Sequence, residues 1–138
     1  VVAAMADASP RAVAVRQRNA LRHEAEMLGR ATFIDSSAPI SRYFNATRTM
    51  LAQASAYHRE HNARDAYVLY WRGVTFFVER VARHPRFKDP AVKGIKASLV
   101  QQVEQAMQLL EKLDKDVLAM FEARAAPSGP PRPPAQRA

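Results

Sequence analysis

From Val92 to Met120 the apolar residues recur at steps of three and four without a lapse: Val92, Ile95, Leu99, Val103, Ala106, Leu110, Leu113, Val117 and Met120. Gln and charged residues fill the intervals. This is the period of an amphipathic helix held over about eight turns, with a coiled-coil-like seam. A helix spanning roughly 90–125 cannot bury such a stripe alone. It requires helical partners, and that requirement governs how the rest of the chain is read.

The run AYVLYWRGVTFF at 66–77 is the test case, because Tyr, Val, Trp, Thr and Phe all favour strands. Its period decides otherwise. Ala66, Tyr70, Val74, Phe77 and Val81 are spaced four, four, three and four, within a segment of about 63–83 that is far too long for a strand. Tyr67 and Trp71 lie one turn apart beside that seam, either packed under another helix or presented to a partner.

A break at His61-Asn62 implies an antiparallel hairpin with a helix over about 40–61. That helix carries Tyr43, Ala46, Thr47, Met50, Ala54 and Tyr57, and its alanines permit close approach of a neighbour. Upstream, Asp35, Ser36, Ser37 and Pro39 mark a linker. Ser9-Pro10 reads as an N-cap followed by proline at the first helical position, starting a helix to about Arg30. The apolar face of that helix is thin (Val13, Ala20, Leu21, Ala25, Leu28), so weak docking or fraying is expected. Pro85 and Pro90 bracket a loop from which Phe87 plugs into the core.

The expected fold is therefore all-α: an antiparallel three-helix bundle with an additional N-terminal helix. One domain over 10–125 lies between a flexible 1–9 and a disordered Pro-rich tail over 126–138. With 138 residues there is room for one core and not two.

Function is constrained mostly by what is missing. The chain has no cysteine, hence no disulfide framework and no thiolate chemistry. HEAEM at 23–27 begins like a zincin motif but has Met27 in place of the second ligand, and His58 and His61 flank a polar turn. Asp114 and Asp116 point apart on one helix. No phosphate loop, dinucleotide fingerprint or catalytic triad pattern appears, and no cofactor is implied. Neither a secretory signal nor an apolar run long enough to span a membrane is visible.

The net charge of +8 favours an acidic partner. Lys93, Lys96, Lys112 and Lys115 on the fourth helix and Arg72, Arg80 and Arg83 on the third would flank one positive groove if these helices are neighbours. Such residues are either solvated helix faces or the rim of an acidic-peptide site. A basic nucleic-acid-binding surface would need exposed aromatics among the cations, and here the aromatics keep core spacing. The tail offers two SH3-type patterns, Arg124-x-x-Pro127-x-x-Pro130 and Pro127-x-x-Pro130-x-Arg132, against the plainer role of a tether.

Residues 39–88 resemble a known family. Pro39, Arg42-Tyr43-Phe44, Ala54-Ser55-x-Tyr57, Glu60, Asn62, Ala66, Leu69-Tyr70, Phe77, Glu79, His84 and Lys88 are similar, without gaps, to the N-terminal domain of AMSH-type deubiquitinases. The same stretch is similar to the amino-terminal dimerisation domain of an endosomal ubiquitin-specific protease. The resemblance implies a bundle of the microtubule-interacting and trafficking (MIT) type. It also implies binding to helical C-terminal tails of ESCRT-III subunits, and a cytoplasmic, endosome-associated place.

Carried onto this chain, Tyr70, Phe77 and Arg80 would line one wall of the tail groove and Val103, Met107, Glu111 and Lys112 the other. The catalytic part of such an enzyme, a zinc metalloprotease domain, has no counterpart among these residues. The resemblance also leaves self-association as a homodimer as the alternative role.

Overall fold

A computed structural model of the protein describes residues 9–126. Four helices account for most of it: α1 (Pro10–Ala31), α2 (Ile40–Arg59), α3 (Ala63–Thr75) and α4 (Lys93–Ala125). No strand occurs among the described residues. α3 continues through a π-helical turn, Phe76–Arg80, and a 3-10 turn, Val81–Arg83; a further 3-10 turn, Pro90–Val92, leads into α4.

Local chemistry sets these boundaries. Ser9 Oγ accepts from Ala12 N at 3.2 Å with Pro10 at the first helical position. Asn62 Oδ1 accepts from Asp65 N at 3.2 Å and opens α3. α2 stops at Arg59, slightly short of the expected 61, because His61 turns the chain with a φ of 61°.

α3 is central. α2 packs antiparallel to it, with Phe44 6.4 Å from Phe77 and Phe87 edge-on to both rings at 6.4 and 5.8 Å. Phe87 thus plugs the core as its position between two prolines predicts. A side chain at Gly73 would press on Leu51 and Met50 at 3.3 Å, so α2 and α3 lie close there. His84 is buried and uses both ring nitrogens: Nδ1 accepts from Arg86 N at 3.1 Å and Nε2 lies 2.9 Å from Ala38 O. The ring is therefore neutral with its proton on Nε2, and it ties the α1–α2 linker to the end of α3.

The expected stripe of α4 holds from Leu99 to Val117, all buried at the predicted steps. It does not hold at Ile95, which is 48% exposed in the first turn beside the Pro85–Pro90 loop, where no partner helix runs.

The expectation that α1 docks weakly is overturned. α1 packs along both α3 and α4, opposite α2, which it does not touch. Small side chains make this possible: Ala14 and Ala25 are fully buried and Gly29 is buried. A Cβ at Gly29 would lie 2.7 Å from Arg72 O and 3.1 Å from Phe76 N, so the two backbones meet there. Arg11–Glu122 (3.1 Å), Arg18–Asp114 (2.9 Å) and Arg30–Glu79 (2.9 Å) fasten the helix along its length. A thin apolar face thus signals close approach here rather than loose packing.

Candidate functional site

Because α1 and α2 flank the α3–α4 pair from opposite sides, each face of that pair is partly filled, and what remains open lies at the seams. One such opening is a cleft of about 610 Å³ where α1, α3 and α4 meet. α1 contributes Arg18 and Arg22, α3 contributes Trp71, and α4 contributes Met107, Leu110, Glu111, Asp114 and Lys115.

Its floor is a polar relay. Tyr67, with no exposed surface, donates from its hydroxyl to Asp114 Oδ1 at 2.9 Å, and Arg18 Nη1 donates to Asp114 Oδ2 at 2.9 Å. Burial pushes the Tyr67 phenol up to about 12, and the hydrogen bond to Asp114 and that carboxylate's charge add to the rise. The Trp71 indole and the Arg22 charge pull weakly the other way. Tyr67 therefore keeps its hydroxyl proton, and its hydrogen bond to Asp114, beyond the pH at which an ordinary phenol ionises.

Arg22 lies over the Trp71 ring, 4.0 Å from its centroid, and pairs with Glu26 at 3.2 Å. Trp71 is edge-on to Tyr67 at 6.5 Å, and its Nε1 is buried without a hydrogen-bond partner. Met107, 48% exposed, forms an apolar lip. Arg18, Arg22 and Lys115 oppose Glu111 and Asp114 here, and Asp114 is already shared between Tyr67 and Arg18.

The predicted site residues do not converge on one groove. Met107 and Glu111 line this cleft, with Lys112 exposed next to them on α4. Tyr70, Phe77 and Val103 are 3, 5 and 4% exposed and belong to the core. Phe77 packs on Phe44, and Tyr70 floors a smaller groove of about 250 Å³ between α2 and α4 with Arg48, Ala52 and Ala106. Tyr70 and Phe77, expected on one wall, and Val103, expected on the other, are thus largely covered. Arg80 is half-buried, with its Nε unpartnered. Arg124 is exposed in the last turn of α4, while Pro127, Pro130 and Arg132 lie outside the described residues.

Sequence reasoning missed Arg18, Arg22, Trp71, Leu110, Asp114 and Lys115 as one constellation. The available signal was the Tyr67–Trp71 step beside the α3 seam together with the arginines one turn apart in α1.

Among the described residues there is no group of three or more metal-ligating side chains, and no helix long and apolar enough to cross a membrane. A compact all-α module with open, charged inter-helix clefts defines the class. Within it, the chain belongs to the USP8 dimerisation domain family, which it matches over residues 18–124. It is 26% identical over 99 residues to the STAM-binding protein-like A of Danio rerio, covering 72% of this chain and 24% of that protein. To the STAM-binding protein of Rattus norvegicus it is 27% identical over 94 residues, covering 68% and 22%. The chain thus spans about a quarter of the length of these relatives. The family resemblance drawn from residues 39–88 holds: this is an N-terminal helical domain of the AMSH and USP8 type.

Proposed function

We propose that this domain is a non-catalytic recruitment module that grips the acidic helical C-terminal tail of an ESCRT-III subunit. In doing so it brings a larger, zinc-dependent deubiquitinase of the AMSH kind to endosomes. The supporting observation is the cleft between α1, α3 and α4. Its exposed Met107 and half-buried Trp71 offer apolar anchorage, and Arg22, Lys115 and nearby Lys112 offer cations to the carboxylates of an amphipathic helix.

Titration of fluorescently labelled ESCRT-III tail peptides tests the idea. Saturable binding in the tens of micromolar, a range of about −6 kcal/mol, is expected. Met107→Asp should abolish it while leaving the far-UV spectrum unchanged, since Met107 is 48% exposed. Binding that is absent, or indifferent to Met107→Asp, overturns the assignment.

Membership of a family described by dimerisation favours a second reading, in which the domain associates with its own copy. Sedimentation at several concentrations separates the two, because a monomer at every concentration removes the second. The Arg124-x-x-Pro127-x-x-Pro130 pattern would add an SH3-domain contact to either role.

A further inference from the structure

At the opposite end of α4 from Arg124, a third cleft of about 550 Å³ is lined by Lys88, Lys93 and Lys96 over a floor of Pro90, Ala97 and Val100. Its one carboxylate, Asp89, is occupied: Oδ1 accepts from Ala91 N at 2.9 Å and Oδ2 from Arg86 Nη1 at 3.2 Å. The backbone hydrogen bond from Ala91, above all, holds that carboxyl below its usual range. Lys96 is positioned, with Nζ donating to Phe87 O at 2.8 Å and lying 4.6 Å from the centre of the Phe87 ring. Lys88 and Lys93 are exposed and have no partner among the described residues.

Two features of this corner work against local stability. The first turn of α4 carries Lys93 and Lys96 and no acid, where the helix dipole favours carboxylates. Gly94 also sits in that turn, although a side chain there would meet nothing within 4 Å. Packing does not require the glycine there. Departures from local preference with no gain in packing mark functional positions. Their combined effect is a compact, unneutralised positive patch around an open cleft.

We infer that this lysine cleft docks the domain on an anionic membrane surface through lipid phosphates. The choice of cation favours phosphate over peptide carboxylate. Lysine is a mobile point charge rather than a fixed fork, so three lysines around a shallow floor suit the diffuse negative charge of a lipid headgroup layer, and the one arginine here is held by Asp89. The floor is aliphatic and shallow, so attachment is electrostatic and weakens with salt. This surface is separate from the tail-binding cleft, so either assignment can fail alone.

Co-sedimentation of the domain with vesicles tests it. Vesicles of phosphatidylcholine containing phosphatidylserine should carry the protein down at low salt, and phosphatidylcholine alone should not. The double variant Lys88→Gln/Lys93→Gln should lower the partition about 25-fold, since each lysine at such a surface contributes about a factor of five. The charge-matched control Arg59→Gln/Arg64→Gln, at the α2–α3 turn on the other end of the bundle, should leave partition unchanged. Equal losses in both doubles would show general charge attraction and overturn the assignment. So would absence of binding to the anionic vesicles, or loss of acidic-peptide binding in the lysine double with vesicle binding intact.

Discussion

α2 and α1 meet the same α3 helix by opposite means. The α2 side is aromatic: Phe44, Phe77 and Phe87 interlock, with Tyr43 against Phe76 at 6.4 Å. The α1 side is made of Ala14, Ala25 and Gly29 with one larger aliphatic, Leu21, and ion pairs at its edges, while Met27 and Leu28 face outward, 50 and 42% exposed. The first interface draws on apolar area, the second on backbone proximity and placed charge. The difference matters for function, because α1 forms a wall of the tail cleft through Arg18 and Arg22. The aromatic side is therefore the scaffold, and the closely approaching, ion-paired side carries the site.

The sharpest test of this contrast removes an aromatic from the α2 side. Phe44 is 1% exposed, so Phe44→Ala leaves a large void and should cost about 3–5 kcal/mol in denaturant unfolding. A loss below about 1 kcal/mol would mean that the rings are not what joins α2 to α3.

This asymmetry also explains what could be read from the sequence. The third and fourth helices were legible because burying large side chains on one face leaves a visible period, as at Ala66, Tyr70, Val74 and Phe77. The docking of α1 was not, since an interface built on alanine, glycine and a single buried leucine leaves little hydrophobic signature. Positions that meet through space, such as Arg22 with Trp71 or Tyr67 with Asp114, leave only one-turn steps on separate helices, which do not say which helix faces which. Tyr70, Phe77 and Val103 of the expected groove are covered in the structure, and the sequence could not show by what. Periodicity says that a residue is covered, but not whether the cover is a neighbouring helix or a partner.

Gly29→Ala probes the α1 side with the smallest possible change. A helix gains about 1 kcal/mol from that substitution when space allows, yet here the new Cβ would sit 2.7 Å from the Arg72 carbonyl oxygen. α1 must lift, and a net loss of about 1–3 kcal/mol is expected. The single tryptophan, Trp71, reports it directly, because its ring is capped by Arg22 of α1. A shift in its emission together with faster hydrogen exchange confined to α1 is the predicted pattern. A more stable protein with unchanged emission would show that the helices do not touch there.

The mildest test leaves stability at pH 7 alone and looks at alkaline pH. Tyr67 ionises at about 12 in the folded protein, against about 10 for an ordinary phenol. Folding thus favours its protonated form. The stability this contributes is fully present below pH 10 and is lost as pH rises from 10 toward 12. Absorbance at the phenolate band should show one tyrosine titrating late and absent in Tyr67→Phe. Between those pH values the melting temperature of the parent should fall more steeply than that of Tyr67→Phe. Parallel curves would mean that the Tyr67–Asp114 bond between α3 and α4 does not couple the floor of the cleft to the fold.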